Sequence, residues 1–315
     1  MTSTLLKMSH ISKSYPGVNA VDDVSIDLYA GEVLGLMGEN GAGKSTLIKL
    51  LAGAEKIDSG EIYIDEKKVD INSPKTSQEN GVSVIHQELI TMDTLSVAEN
   101  IFVGQLPVNK VTKLIDWKAA QKKSTEVLAL LNSNIKPKSI VASLSIYEKQ
   151  IVEVAKAIHK NAKVVVMDEP TAALSEKDSK ALFAVIKSLK KQGVGIIYIS
   201  HRIEEVFNIS DRITVMRDGE FIGTKLTKGT EQKEIISMMI GRELNQFFPE
   251  IKSEKKGVMM KVSDLNINGI IENISFEVKK GEILGLFGLV GSGCLNIARA
   301  LIGVEDIDQG EVHIN

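Results

Sequence analysis

Short apolar runs alternate with amphipathic stretches along much of the chain, a pattern typical of a parallel sheet covered by helices. The runs at 163–167 and 195–199 are continuously apolar, as expected of strands buried on both faces. The stretch 175–191 between them has a helical pattern, so the three segments predict a βαβ unit. A further apolar strand is predicted at 32–37. The pattern therefore favours an α/β fold with a parallel sheet.

The segments before and after the predicted strand at 32–37 have a different pattern. Segment 5–27 predicts a strand, a turn at Pro16-Gly17 and a second strand. Short strands are predicted at 62–64 and 69–71, separated by four charged residues. These segments indicate an antiparallel part beside the parallel sheet.

The region from about 91 to 160 has a helical character. Within it, Asp116 is the predicted N-cap of a helix over 117–131. Segment 212–221 predicts a hairpin that turns at Asp218-Gly219, a favoured two-residue turn. The chain therefore combines a helical part with the two kinds of sheet.

Composition narrows the class of protein without selecting one. The 315 residues are 43% hydrophobic and 25% charged, with a net charge of −3, which is typical of a soluble globular protein and gives no support for nucleic-acid binding. No run of 18 apolar residues predicts a membrane span, and residues 1–10 lack the apolar core of a secretory signal. The single cysteine, Cys294, fits a reducing compartment. We therefore expect a soluble cytoplasmic protein.

The segment 38–46, which we call the phosphate loop, matches G-x-x-x-x-G-K-[ST] at every fixed position and lies between a predicted strand and a predicted helix. Its glycines allow backbone N–H groups to face phosphate oxygens, and the helix adds its positive N-terminus. Lys44 is placed to bind β- and γ-phosphates, and the Ser45 hydroxyl to bind Mg²⁺. The predicted ATP-binding residues are Gly38, Glu39, Asn40, Gly41, Ala42, Gly43, Lys44, Ser45 and Thr46.

Two adjacent carboxylates follow the apolar strand at 163–167. Asp168 is positioned to support Mg²⁺, directly or through water, and Glu169 to polarise the attacking water as a general base. An acidic turn after a strand is common, so this assignment depends on its pairing with the phosphate loop.

The first part of the sequence is repeated at an offset of 250 residues. The chemistry is not repeated, because Cys294 and Leu295 stand where the first copy has Lys44 and Ser45. The second copy is short, and a piece of this length would bury only about 60% of its unfolded surface. We therefore expect a fragment, or a piece that docks on another domain or chain. The matched pairs include Gly31 with Gly281, Gly38 with Gly288, Gly41 with Gly291, Gly43 with Gly293, and Gly60 with Gly310.

The order of five motifs resembles the nucleotide-binding domain of an ABC transporter. The motifs are the phosphate loop, Gln87, Leu144-Ser145, Asp168-Glu169 and His201. The resemblance implies that Gln87 contacts Mg²⁺ and senses the membrane subunits, and that His201 contacts the γ-phosphate. It therefore implies an ATPase with Glu169, His201 and Gln87 as catalytic residues and with Ser45, Gln87 and Asp168 around the metal.

The same resemblance implies a domain organisation and an adenine contact. Tyr15 corresponds to the aromatic residue that stacks on adenine. Residues 1–245 would form a P-loop NTPase domain with an antiparallel β-subdomain and a helical subdomain at about 88–160. Residues 246–257 would be a linker, and 258–315 the start of a second, degenerate copy.

Further segments resemble the tandem ATP-binding subunits of carbohydrate importers. This branch implies MgATP hydrolysis coupled to uptake of ribose, galactose or xylose, with permease subunits, a sugar-binding protein and a second nucleotide-binding domain in cis or trans. It places the chain on the cytoplasmic face of the membrane. The alternatives are an importer of nucleosides or autoinducer, a soluble tandem ATPase, and a truncated product that binds ATP without transport. The segments are 15–20, 153–157, 171–174, 241–244 and 248–249.

This sequence departs from the wider family at the loop that usually is L-S-G-G-Q. Here 144–148 is L-S-I-Y-E, which we call the signature loop, and Tyr147 is expected to obstruct a partner's γ-phosphate. Ser175 also replaces a usual aspartate. Since each signature loop completes the other domain's site in this family, the Lys44 site is expected to need a surface beyond Asn315. The chain alone is therefore expected to bind MgATP and hydrolyse it poorly.

Overall fold

The computed structural model describes residues 3–87, 89–241, 256–267, 269–289 and 291–314. It divides the chain into two units, 1–245 and 246–315, each described separately below. The predicted linker at 246–257 lies almost entirely outside the described residues.

The described part of the first unit contains one ten-stranded mixed sheet. Its strands are β1 (Thr4–Tyr15), β2 (Val18–Tyr29), β3 (Val33–Met37), β4 (Ser59–Ile64), β5 (Lys67–Val69), β6 (Val82–Ile85), β7 (Val164–Asp168), β8 (Gly195–Ile199), β9 (Arg212–Arg217) and β10 (Glu220–Leu226). They lie in the order β5-β4-β1-β2-β10-β9-β3-β8-β7-β6.

The sheet has a parallel half and an antiparallel half, as the sequence predicts. Strands β9, β3, β8, β7 and β6 pair in parallel, whereas β5, β4, β1 and β2 pair antiparallel. The central parallel strands β3 and β8 are buried at every residue because both of their faces are covered. On β3, for example, Val33 and Met37 enter one hydrophobic core and Leu34 and Leu36 the other.

Helices cover the sheet and form the predicted helical part. In the first unit they are α1 (Lys44–Leu51), α2 (Pro74–Glu79), α3 (Val97–Ile101), α4 (Trp117–Leu130), α5 (Ile146–His159), α6 (Glu176–Lys191), α7 (Ile203–Ile209) and α8 (Gln232–Ile240). The region at 91–160 contains three of these helices and a 3-10 turn at Val141–Ser143, with a non-helical stretch at 102–116. The expectation of helical character throughout this region was therefore too broad.

Capping residues fix where several helices begin and end. Asp116 caps α4, since its carboxylate accepts a hydrogen bond from the Ala119 N–H at 2.9 Å. Gly241 ends α8 in a left-handed conformation with φ 75°, which glycine adopts without strain. The predicted N-cap at Asp116 is confirmed.

Two hairpin turns differ in how well the sequence predicted them. Asp218 and Gly219 both have positive φ and join β9 to β10, as predicted. Between β4 and β5 the turn is Asp65-Glu66 alone, both with positive φ. The four charged residues are thus not all linker, because Lys67 and Lys68 already belong to β5 and pair with β4. The predicted strand at 69–71 began two residues too late.

The second unit repeats the beginning of the first. It contains β11 (Lys256–Ile267), β12 (Ile271–Lys280), α9 (Cys294–Leu301) and β13 (Gln309–Ile314). The strand order β12-β11-β13 reproduces β2-β1-β4, and α9 and β13 lie at an offset of 250 residues from α1 and β4. In contrast to β3, the corresponding segment 283–287 is not a strand, and Ile283 and Phe287 are 91% and 97% exposed.

Among the described residues, no helix has the length and hydropathy needed to cross a bilayer.

A partly buried ion pair joins three strands of the first unit. The Arg212 guanidinium at the start of β9 donates to Glu32 Oε1 at 2.5 Å and to Oε2 at 3.2 Å, just before β3. It also donates to the Asp27 carbonyl on β2 at 2.9 Å and lies 4.7 Å from the centre of the Tyr29 ring. The Glu32 side chain is only 8% exposed, so Arg212 is the cation that compensates for the burial of this carboxylate.

We expect Arg212→Met to lower the free energy of unfolding of the first unit by about 3 kcal/mol, because it leaves the Glu32 carboxylate buried and unpaired. Lys180→Met is the matched control, since its pair with Glu176 is 72% and 85% exposed and should contribute less than about 0.5 kcal/mol. Urea denaturation followed by circular dichroism measures both. Equal losses for the two variants would contradict the role assigned to Arg212.

Candidate active site

The carboxyl ends of four neighbouring parallel strands meet at one edge of the sheet, which is where ligands bind in open α/β sheets. The phosphate loop follows β3, and Asp168 is the last residue of β7. Gln87 lies two residues after β6, and His201 two residues after β8. Because these strands are adjacent in the order β3-β8-β7-β6, the four predicted elements lie at the same edge.

The phosphate loop has the backbone of an anion-binding turn. Gly43, with φ 94°, directly precedes α1, and the Leu47 N–H donates to its carbonyl at 2.9 Å. A Cβ at Gly43 would lie 2.4 Å from the Ala20 carbonyl oxygen, and one at Gly38 would lie 2.3 Å from that of Met216. The loop is therefore packed closely against neighbouring backbone, which only glycine permits.

The Lys44 side chain lies within the loop. Its Nζ donates to the carbonyls of Gly38 at 2.8 Å and Glu39 at 2.9 Å. Burial lowers the pKa of this amine, and the nearby Asp168 and Glu169 carboxylates oppose that effect. A half-buried cation held by neutral carbonyls has the chemistry required to bind an anionic phosphate.

The two predicted acidic residues have different environments. Burial raises the pKa of Asp168, and the charge of Glu169 adds to the effect. Glu169 has a left-handed backbone with φ 46°, and its N–H donates to the Ile199 carbonyl at 2.9 Å. Its Oε1 lies 3.1 Å from His201 Nδ1. The structure thus brings the proposed base and the proposed γ-phosphate contact together.

A cavity of about 320 Å³ opens above the loop, and its lining fits a magnesium nucleotide. It joins a hydroxyl (Ser45), an amide (Gln87) and a carboxylate (Asp168), all oxygen donors of the kind Mg²⁺ takes together with substrate phosphates. Among the described residues, no cluster of three His, Cys, Asp or Glu side chains could hold a metal by itself. The lining residues are Val18, Ala20, Asn40, Gly41, Ala42, Gly43, Lys44, Ser45, Thr46, Gln87, Asp168, Glu169 and Ile199.

Four predicted site residues lie outside this lining. Gly38 and Glu39 contribute carbonyls behind Lys44, and His201 reaches the site through Glu169. Tyr15 lies at the end of β1 with Lys13 Nζ 5.7 Å from its ring centre, whereas Val18 and Ala20 line the cavity on that side. The structure therefore does not bring Tyr15 into the cavity.

The signature loop is a helix start. The Ser145 hydroxyl accepts from the Glu148 N–H at 3.2 Å, and the Glu148 carboxylate accepts from the Ser145 N–H at 2.8 Å, which is a capping box for α5. Tyr147 packs against the hydrophobic core, and burial raises the pKa of its phenol. The Tyr147 ring is partly buried, whereas the Ile146 side chain before it is 50% exposed, and the obstruction of a partner by Tyr147 stays a prediction.

The corresponding loop of the second unit keeps the backbone and not the reactive groups. Gly291 and Gly293 have φ 88° and 85°, and α9 begins at Cys294. The Asn296 amide donates to both oxygens of Glu305, at 3.0 and 3.1 Å. This loop offers neither an ammonium group nor a hydroxyl at the positions of Lys44 and Ser45.

One group beside the site belongs to no sequence motif. Glu205 on α7 accepts hydrogen bonds from Thr171, two residues after Glu169, at 2.6 Å, and from the two residues that flank His201. Its position follows no motif, and only the packing of α7 against β8 and the loop after β7 reveals it.

Comparison with known proteins agrees with this geometry. Residues 21–172 match the family model for the ABC transporter ATP-binding domain. A nucleotide-free ATP-binding cassette from an ABC transporter aligns with a TM-score of 0.65 at 25% identity, covering 78% of this chain and 100% of that one. Another cassette, in its ADP conformation, aligns with a TM-score of 0.67 at 27% identity, covering 76% and 100%. Residues 21–172 therefore belong to an ABC transporter ATP-binding domain, and the predicted α/β fold is confirmed.

Its sequence relatives narrow the branch. A putative ribose/galactose/methyl galactoside import ATP-binding protein of Pseudomonas savastanoi is 45% identical over 99% of this chain and 59% of its own length. The ribose import ATP-binding protein RbsA of Clostridium perfringens is 43% identical over 99% and 62%. A galactose/methyl galactoside import ATP-binding protein of Photobacterium profundum is 43% identical over 100% and 63%. The chain thus resembles carbohydrate import ATP-binding proteins and spans about three-fifths of the length of these curated relatives.

The close packing of the phosphate loop gives a paired prediction. Gly41 and Gly43 both have positive φ, so alanine at either costs about 1 kcal/mol in backbone strain. Only Gly43→Ala also meets a carbonyl, whereas a Cβ at Gly41 meets nothing within 4 Å. We expect Gly43→Ala to lower the free energy of unfolding clearly more than Gly41→Ala in denaturant titrations. A larger loss for Gly41→Ala would contradict the loop geometry.

Proposed function

We propose that the chain is the ATP-binding part of an ABC importer and couples binding and hydrolysis of MgATP to uptake of a monosaccharide such as ribose, galactose or xylose. The observation that carries this proposal is one cavity that joins the phosphate loop to Gln87, Asp168 and Glu169. The names of the relatives support a sugar over a nucleoside or autoinducer.

Each residue has a distinct task in this reaction. Lys44 and the loop N–H groups bind and orient the β- and γ-phosphates. Ser45, Gln87 and Asp168 would hold Mg²⁺, which neutralises developing charge on the phosphate oxygens. Glu169 accepts a proton from the attacking water.

His201 connects the base to the substrate. Its Nδ1 contacts Glu169, which leaves Nε2 free to donate to the γ-phosphate. Val18 and Ala20 offer an apolar wall to the base of the nucleotide.

The proposed partners follow from the importer assignment. They are membrane permease subunits, a separate sugar-binding protein and a second nucleotide-binding domain in cis or trans. The chain would then be peripheral on the cytoplasmic face of the membrane, with residues 258–315 as the start of a second, degenerate domain. A soluble tandem ATPase remains the second candidate function, favoured only if the chain purifies with ribosomes and not with a permease.

Two variants test the nucleotide chemistry. Lys44→Ala should weaken MgATP binding at least about tenfold, because it removes a charge-assisted contact to phosphate. Glu169→Gln should bind MgATP as the wild type does and lower hydrolysis by about 100-fold or more, because only the base is lost. A fluorescent ATP analogue measures affinity, and phosphate release measures turnover.

The matched control for Lys44 is Lys49→Ala, an exposed lysine on the same helix. The chain alone is expected to hydrolyse ATP slowly, so turnover is best compared in the assembled transporter. Undiminished ATP binding by Lys44→Ala would contradict the site. Uptake of ribose, galactose and xylose in a strain that lacks the chain identifies the sugar.

A further inference from the structure

The carboxylate of Glu205 collects hydrogen bonds from separate segments of the first unit. Its Oε2 accepts from Thr171 Oγ1 at 2.6 Å, from the Tyr198 phenol at 3.0 Å and from Ser200 Oγ at 3.4 Å. Its Oε1 accepts from the Arg202 guanidinium at 3.1 Å. The donors come from the loop after β7, from β8 and its end, and from the residue that precedes α7.

This network is largely buried, so its hydrogen bonds are not interchangeable with water. The Glu205 side chain is 12% exposed, and Thr171, Tyr198 and Ser200 are buried. Burial raises the pKa of Tyr198, which keeps its phenol protonated as a donor. A buried carboxylate accepts from all of these donors, whereas an amide in its place keeps one acceptor oxygen and turns a second donor group toward a donor.

On one side, the network restrains the proposed general base. Glu169 has a left-handed backbone that a glutamate adopts only when its surroundings enforce it. The Ile199 carbonyl accepts its N–H, and the Ala172 N–H donates to its carbonyl at 3.1 Å. Thr171 lies between Glu169 and Ala172, and its hydroxyl donates to Glu205. The Glu205 carboxylate therefore restrains the turn that sets the direction of the Glu169 side chain.

On the other side, the same carboxylate restrains His201. The residues before and after it, Ser200 and Arg202, both donate to Glu205. The Arg202 N–H also donates to Ser200 Oγ at 3.0 Å, which closes the turn. The His201 ring itself is 63% exposed, so neighbouring backbone and not packing must set its direction.

We infer that Glu205 is a positioning residue. It holds the turn at Glu169 and the turn at His201 in fixed positions relative to each other, so that Glu169 Oε1 and His201 Nδ1 lie 3.1 Å apart. This inference rests on the proposed function for its meaning in catalysis. Its geometry stands independently, because Glu205 touches neither the phosphate loop nor the residues assigned to Mg²⁺ in the contacts described above. A carboxylate fits this task because one group accepts from four donors at once.

A simpler role would be stabilisation of α7 alone, since acidic residues in a first turn favour a helix. Glu204 precedes Glu205 in that turn, is exposed and shares this effect. It therefore provides the matched control, because Glu204→Gln removes the same charge from the same turn and leaves the network intact.

The test compares Glu205→Gln with Glu204→Gln in the full chain, by NMR of the histidine ring C–H groups at fixed pH. The chain has five histidines, and His201→Gln assigns the relevant signal. We expect Glu205→Gln to shift the His201 signals while those of His10, His86, His159 and His313 stay in place. Glu204→Gln should move none of them.

Turnover gives a second readout. Glu205→Gln should lower kcat for ATP about tenfold or more and change KM much less, because it displaces the base and the histidine but leaves Lys44 and the loop N–H groups, which bind most of the phosphate, in place. Tyr198→Phe and Thr171→Val each remove one donor with little change in volume, and each should produce the same His201 shift in smaller measure. If Glu205→Gln fails to fold, these two variants still test whether the network around Glu205 positions His201.

The outcomes separate this inference from the proposed function. An unmoved His201 signal in Glu205→Gln overturns the inference, and so does an equal shift in Glu204→Gln or a shift of all five histidines. Failure of the wild-type chain to bind MgATP overturns the proposed function instead. The His201 signature remains decisive for Glu205 in either case, since it requires no nucleotide.

Discussion

The parallel pairing of β3, β8, β7 and β6 is the constraint on which the site depends. Because parallel neighbours end at the same edge, residues separated by more than 100 positions in sequence, such as Lys44 and Asp168, reach one cavity although β3 and β7 are not paired with each other. The antiparallel strands contribute differently. They supply Val18 and Ala20 to the cavity wall and the Ala20 carbonyl against which Gly43 packs. A change in strand order would separate these groups even if every local motif survived.

The pKa shifts of Lys44 and Asp168 indicate which charges the cavity would accept from a ligand. Burial lowers the pKa of Lys44 and raises that of Asp168, so both charged forms are disfavoured in the free protein. Phosphate oxygens would stabilise the ammonium, and a divalent cation would stabilise the carboxylate. MgATP bound as proposed above would therefore place an opposite charge beside each of these two groups. This complementarity explains why both groups can remain partly buried without a direct ion pair between them.

The sequence pattern predicted correctly those features of the fold and the site that depend on local backbone conformation. The phosphate loop, the Asp218-Gly219 hairpin and the Asp116 cap are short-range features in which residue type fixes conformation. It did not identify Glu205, which belongs to no motif and whose position depends on packing. The roles predicted for Tyr147 and Tyr15 stay predictions: the Tyr147 ring is partly buried against the hydrophobic core, and Tyr15 lies outside the lining of the cavity. Two charged residues between β4 and β5 were assigned to a turn, although pairing with β4 makes them strand.

The glycine-rich segments before α1 and α9 differ in their chemistry more than in their backbone. The second unit has glycines at positive φ before α9 and an apolar segment at 283–287, at the offset of 250 residues from the central strand β3. It has neither an ammonium group nor a hydroxyl at the positions that correspond to Lys44 and Ser45, and the described residues of this unit provide no strand beside that apolar segment. The second unit therefore preserves the pattern of a scaffold, while the first retains the groups that can act on a nucleotide.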